Sequence, residues 1–262
     1  MGKNKLQKFA DIARYPNVFQ YPFSVLKEEG FKMQGNWREK FFDNTNPVVL
    51  ELGCGKGEYT IALAELYPDK NFIGIDIKGA RIWAGAKESL QKELNNVAFL
   101  RTSIELLPYF FSENEVSEIW ITFPDPQMKK CRKRLTSTTF ISLYTKIMQP
   151  GGIIHLKSDS PYLYQYTTQM IKANKFKTIS TTDDLYHSDI TDKILQIHTF
   201  YEQQWLERGF TIKYISFISE PREQLTEPDT EIEPDSYRSF NRSRRSNHTK
   251  TEKDDNLSKT NP

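Results

Sequence analysis

The feature that most constrains this chain is a repeating alternation of short apolar runs and longer stretches with apolar residues three and four positions apart. "VVLEL" (48–52), "NFIGIDI" (71–77), "NVAFLR" (96–101), "SEIWITF" (117–123) and "GGIIHLK" (151–157) are short and rich in β-branched or aromatic residues, with turn formers nearby. They read as buried strands. "EYTIALAELY", "ARIWAGAKESLQKEL", "TTFISLYTKIM" and "YLYQYTTQMIKAN" lie between or after them and read as helices. Such alternation predicts an α/β fold with an open, mostly parallel, doubly wound sheet. "FKTIST" and "GFTIKYISF" are two last strands, with only the partly helical "TDKILQIHTFYEQQWLERG" between them. The sheet is therefore expected to carry an antiparallel strand near its C-terminal end. In sheets of this kind ligands bind at the carboxyl ends of the strands, which directs attention to the loops after Leu52, Ile75, Phe123 and Lys157.

Composition narrows the setting. Hydrophobic residues make up 37% of the 262, enough for a packed core, and no apolar run approaches the ~20 residues of a membrane span. The N-terminus lacks the continuous apolar region of a secretory signal. Two cysteines and four scattered histidines offer neither a disulfide framework nor a metal constellation. The expectation is a cytoplasmic protein with no metal and no membrane partner; its oligomeric state is left open. The net charge of +2 is unevenly spread: residues 220–235 hold seven acids against one arginine, and residues 237–262 hold seven Lys/Arg against three acids. Both stretches are poor in apolar residues and are expected to stay disordered. The predicted organisation is an N-terminal extension over 1–34, a catalytic-type domain over 35–219 and a charged tail over 220–262.

Two stretches carry chemistry. In "ELGCGKGEY", Gly53, Gly55 and Gly57 follow a strand and precede a helix, but Glu58 stands where the dinucleotide fingerprint needs its third glycine. Glu51, two residues before Gly53, is poorly placed to meet a pyrophosphate and suits a cationic ligand. Asp76 closes the next strand, where a carboxylate can accept from both hydroxyls of a ribose. S-adenosylmethionine, with its ammonium and sulfonium, fits that set better than NAD; a plain tight turn and helix cap are the blander reading. In "TFPDPQMKKCRKR", Asp125 lies between two prolines, followed by Lys129, Lys130, Arg132, Lys133 and Arg134. The blander reading of this stretch is a turn-forming acid and a solvated helix start, but it leaves the tight coupling of acid and cations unexplained.

Together the motifs resemble the tRNA (guanine-N7)-methyltransferases of bacteria, class I S-adenosylmethionine-dependent enzymes with a Rossmann-like fold. The resemblance covers most of 35–217, through D-P-x-x-K-K and its basic run, "HLKSD" and "HTFYEQQWLERG". It implies that Glu51, Gly53 and Asp76 hold the cofactor and that Asp125 sits beside both the transferring methyl and the guanine. Lys129, Asp159, Thr199, Phe200, Tyr201 and Glu202 would contact the RNA substrate, and Lys130, Arg132, Lys133 and Arg134 its phosphates. The implied target is a guanine at position 46, in the variable loop of tRNA. This chain departs from the pattern in "DPQMK", where D-P-W-P-K is frequent, and in Ser103, where many members place an acid near the adenine amine. Glu105 competes with Ser103 for that role.

The chemistry agrees with the resemblance. Guanine N7 is a lone-pair nucleophile without a proton, so alignment for in-line attack matters more than a general base. The base becomes cationic as the bond forms, and a nearby carboxylate stabilises that charge. The cations beside Asp125 suit phosphates, whose neutralisation drives binding by counterion release. Two other functions remain open on sequence: methylation of another substrate, and RNA binding without catalysis. Tyr201 and Trp205 read as base-stacking or helix-bracing rings. His155 reads as structural, Cys54 as filler under the glycine loop, and Cys131 as an exposed bystander.

Overall fold

Val48–Leu52 (β2) is buried along its whole length, with Val48, Leu50 and Leu52 facing one apolar layer and Val49 the other. A strand covered on both faces can only sit inside a two-sided α/β sandwich. The computed structural model, which describes residues 3–237, has that architecture. Parallel to β2 lie Asn71–Ile75 (β3) and, on its other side, Val116–Thr122 (β5). Beyond β3 come Val97–Leu100 (β4) and the two-residue Val18–Phe19 (β1). Beyond β5 come Met148–Ser158 (β6), Lys213–Ile218 (β8) and Lys177–Thr182 (β7). The order β1-β4-β3-β2-β5-β6-β8-β7 includes the expected antiparallel strand, β8, which pairs antiparallel with both β6 and β7.

The two layers are distinct. Lys3–Ile12 (α1), Glu58–Leu66 (α3) and Gly79–Gln91 (α4) contribute Ile12, Leu63, Ile82 and Ala86 to one apolar cluster. Leu107–Phe110 (α5), Thr138–Tyr144 (α6) and Pro161–Ala173 (α7) contribute Phe110, Ile141, Leu163 and Met170 to the other. The sheet is therefore doubly wound. It changes winding direction between β2 and β5, where a ligand crevice is expected.

Both ends of the chain depart from the expected organisation. Phe23–Glu29 (α2) and β1 belong to the sheet edge: Phe19 meets Trp37 and Phe31 edge-on at ring distances of 5.0 and 6.3 Å. Residues 3–34 thus pack with the domain, because five aromatic side chains around Trp37 need cover. Residues 220–237, expected to be disordered, lie against the domain. Leu225 and Ile232 pack on the core, and the Asp235 carboxylate is buried where it accepts from Ser160 Oγ and Tyr162 N. The basic half of the expected tail, from 238, lies outside the described residues. No helix among the described residues is long and apolar enough to cross a membrane.

Candidate active site

The switch point between β2 and β5 opens into a cleft of about 530 Å³. Glu51, on the Val49 face of β2, sits at its floor, 3% exposed. Its carboxylate accepts from Thr60 Oγ1 of α3 and from Thr122 Oγ1 of β5, the latter at 2.7 Å. Burial pushes its pKa up to about 7, against the two hydroxyls and with a small contribution from Glu58. The loop above it turns on Gly53, Gly55 and Gly57, all left-handed at φ 78°, 58° and 77°. At Gly57 a Cβ would stand 2.6 Å from the Phe99 ring, so backbone alone fits there. Asp76 is buried one step behind the loop, its oxygens accepting from Gly55 N at 3.0 Å and Lys78 N at 2.7 Å.

On the opposite wall stands Asp125. Phe123 and Gln127 bracket it with left-handed backbones, φ 48° and 47°, a strained geometry that holds the loop in a fixed shape. Asp125 is exposed and accepts from Gln127 N at 3.0 Å. Phe200–Leu206 (α8) supplies the third wall: Thr199 caps it, and Phe200 and Tyr201 line the cleft while 56% and 55% exposed. Phe200 N donates to Glu58 Oε2 at 2.7 Å, and Lys56 Nζ lies 4.7 Å from the Phe200 ring centre. The structure thus brings Glu51, Gly53, Asp125, Thr199, Phe200 and Tyr201 around one cavity, joined by Tyr59, Arg81 and Thr122, which the sequence reading missed. Among the described residues no three of His, Cys, Asp and Glu cluster as a metal site would need.

Three expected contacts are placed differently. Arg134 is not a surface cation: it is 7% exposed, its guanidinium lies 4.9 and 4.4 Å from the Tyr162 and Tyr166 rings, and it donates to the Gln127 and Met128 carbonyls. It therefore shapes the basic loop from beneath. Glu202 is wholly buried; it pairs with Lys157 Nζ at 2.9 Å, accepts from Tyr186 OH and closes a capping box with Thr199. Lys157 also donates to the Leu195 and Ile197 carbonyls at 3.0 and 2.9 Å, and burial lowers its pKa against the pull of Glu202. Asp159 is buried as well, accepting from Tyr237 OH at 2.6 Å. A charged group with no exposed surface does not reach RNA in this arrangement.

The remaining cations divide. Lys129, Lys130 and Arg132 are exposed. Lys133 pairs with Glu105 at 2.9 Å, and Ser103 Oγ donates to the same carboxylate. Donation from Ser103, with Lys133 adding, outweighs partial burial and brings Glu105 down to about 2. Ser103 and Glu105 thus form one unit. His155 is structural: it stacks on Trp120 at 3.9 Å, its Nδ1 meets Tyr214 OH at 2.8 Å, and burial lowers its pKa to about 3. Cys54 is buried, while Cys131 is half-buried against Tyr166 and Glu227, not an exposed bystander.

Comparison with known proteins agrees with this geometry. Residues 45–215 match a family described as putative methyltransferase. The chain is 60% identical to the tRNA (guanine-N(7)-)-methyltransferase of Bacteroides fragilis over 246 residues, 94% of this chain and 98% of that one. It is 64% identical to the Porphyromonas gingivalis protein of the same name over 236 residues, 88% of this chain and 97% of that one. Among solved structures, the 16S rRNA methyltransferase KamB shares the fold, with a TM-score of 0.53 at 16% identity over 70% of this chain and 92% of that one. A buried acid under a glycine loop, an acid on the facing strand end and this degree of identity converge, and the chain belongs to the bacterial tRNA (guanine-N7)-methyltransferase family.

Proposed function

We propose that this protein transfers the methyl group of S-adenosylmethionine to N7 of a guanine in tRNA, at position 46 of the variable loop. The observation that carries the proposal is the single cleft in which the Glu51 carboxylate and the glycine loop face Asp125 and the exposed Phe200–Tyr201 pair. The donor set fits the cofactor. A buried carboxylate suits an ammonium, the side-chain-free turn admits close approach of the backbone, and Asp76 lies at the next strand end for a ribose. When bound, the cofactor supplies an electrophilic methyl on a sulfonium.

The protein's own residues then have three tasks. Glu51, Gly53 and Asp76 hold the cofactor, with Ser103 and Glu105 near the adenine. Phe200 and Tyr201 present faces on which a base can stack, and Thr199 holds their helix start. Asp125 accepts from the guanine's N1–H and exocyclic amine and stabilises the positive charge that develops on the ring. No residue has to remove a proton from N7, because N7 carries none. Lys129, Lys130 and Arg132 hold phosphates and so fix the position of the RNA without reading its sequence. Lys133 can join them by leaving Glu105.

The test is to incubate purified protein with total tRNA and labelled cofactor, then map the methylated nucleotides. N7-methylguanosine confined to the variable loop is expected. Methyl incorporated elsewhere, or only into a small molecule, would sink the substrate assignment; binding of tRNA without incorporation would leave a non-catalytic RNA-binding protein.

A further inference from the structure

The basic loop, from Asp125 to Arg134, has little structure of its own. Its regular part is the 3-10 turn Cys131–Lys133, and Gln127 holds a left-handed backbone at φ 47°. Such a loop keeps one shape only where its surroundings determine it. Part of that support is α7, whose Tyr162 OH donates to the Met128 carbonyl at 3.2 Å, beside the buried Arg134. The rest is residues 220–237, a strap that packs Leu225 and Ile232 on the core. Its Glu227 accepts from Cys131 Sγ at 3.2 Å, from Tyr166 OH at 2.5 Å and from Thr138 N at 3.1 Å. Further along, Asp235 N donates to Met128 Sδ at 3.2 Å. The strap thus holds the loop at two points.

Asp235 also completes the helix behind the loop. Pro161, the first residue of α7, has no N–H, and Leu163 N is taken by Ser160 Oγ at 3.0 Å, which leaves Tyr162 N. The Asp235 carboxylate, buried and arriving from 73 residues away, accepts from Tyr162 N at 3.0 Å and from Ser160 Oγ. One residue therefore ties the start of α7 to Met128. From there the path to the cleft is short. Arg134 donates to the Met128 and Gln127 carbonyls at 3.0 and 3.3 Å, and Gln127 N donates to the Asp125 carboxylate at 3.0 Å. Resting on the methyl-transfer reading above, we infer that Glu227 and Asp235 are positioning residues. They fix the loop that aims Asp125 at the guanine and Lys129, Lys130 and Arg132 at phosphates. Their contacts named here lie on α6, α7 and the loop, whereas Glu51, Gly53 and Asp76 stand at the ends of β2 and β3. The strap acts on the substrate wall and leaves the cofactor wall alone.

The experiment keeps the full chain and runs well below the melting temperature, where a loss of stability cannot by itself slow the reaction. In Asp235→Ala the single-turnover methylation rate, with both ligands saturating, should fall about tenfold to a hundredfold, as a misplacement approaching ~1 Å does. S-adenosylmethionine affinity should stay at the wild-type level. Asp235→Asn keeps an oxygen for Tyr162 N and suits a helix start, so it should recover most of the rate. Glu227→Ala, made separately, should slow transfer likewise and carries the test if Asp235→Ala does not fold. A second readout needs no RNA: a thiol reagent should label Cys131 several-fold faster in Asp235→Ala than in wild type, because the loop opens more often, while buried Cys54 stays unlabelled. Rates within about threefold of wild type in both Ala variants, with only melting lowered, would make the strap a stabilising cover and overturn the inference. Unchanged Cys131 labelling overturns it too, and so does a loss of cofactor affinity as large as the loss of rate. A wild-type protein that puts no methyl into tRNA would instead overturn the proposed function, and the strap's part in it.

Discussion

Cofactor affinity should depend on pH through Glu51, and the size of the effect follows from its burial. With a pKa near 7 in the ligand-free protein, Glu51 is neutral below that value and ionised above it. A cationic ligand needs the ionised form, so apparent Kd should rise by the factor 1 + 10^(7−pH), about eightfold between pH 7.5 and pH 6.0, or about 1.2 kcal/mol. The neighbouring groups do not obscure this window: Cys54 and Tyr59 are held well above their ordinary values by burial and stay neutral throughout. The folding linkage has a definite sign. The folded-state pKa is raised from 4.5, so the protonated carboxyl contributes stability that is fully present below about pH 4.5 and is lost as pH rises to about 7. The span is of order 3 kcal/mol. Cofactor, by favouring the ionised form, should restore stability at pH 7.5 more than at pH 6.0. Isothermal titration of S-adenosylmethionine at a series of pH values, with wild type and Glu51→Gln, checks this. The Gln variant should bind weakly at every pH with a flat profile. If wild type and variant show the same slope, Glu51 does not face the cofactor's charge.

Other consequences can be checked separately. Asp125→Asn should slow single-turnover methylation by about 10²–10³ with both ligands saturating, with tRNA affinity retained; a rate within about threefold of wild type would reduce Asp125 to a turn former. Arg134→Ala should lower the melting temperature because it empties the site between Tyr162 and Tyr166, whereas Lys129→Gln and Arg132→Gln should leave melting unchanged and flatten the salt dependence of tRNA binding; the reverse pattern would refute the division of the basic run. Lys157→Met should cost about 3–5 kcal/mol by stranding Glu202 in the core, and adding Glu202→Leu should recover part of it in denaturant unfolding; a double variant no better than the single would mean that the two do not act as a pair.

The sheet was legible because each central strand is buried on both faces and so reads as an apolar run. β1 was not: two residues, Val18 and Phe19, give no periodicity, and their pairing with β4 rests on aromatic packing around Trp37 from a different part of the chain. The cleft was legible where an acid stands against local logic, as at Glu51 and Asp125, both of which line it. It was illegible where the deciding partner is distant. Arg134 is one cation among five until Tyr162 and Tyr166, a helical turn apart on α7, take it out of solvent. Glu202 carried a readable signal, since Thr199 and Glu202 have the spacing of a capping box, but its ion pair with Lys157 joins residues 45 apart. The strap was misread because Leu225, Ile232, Asp235 and Tyr237 find individual sockets on the domain, a form of order that composition does not register.

The reversed strand β8 also sets an order of assembly during synthesis. Because it lies between β6 and β7, β7 has no partner in the sheet until residues 213–218 have left the ribosome. A nascent chain ending at 182 can complete β2 to β6, and with them the glycine loop and Asp125, while the edge of β6 stays unpaired and open to other strands. Closing that edge and bringing Phe200 and Tyr201 to the cleft then happen together, since the connection that carries them begins at the end of β7 and returns into β8. The glycine loop and Asp125 can therefore be in place before the Phe200–Tyr201 wall of the cleft exists.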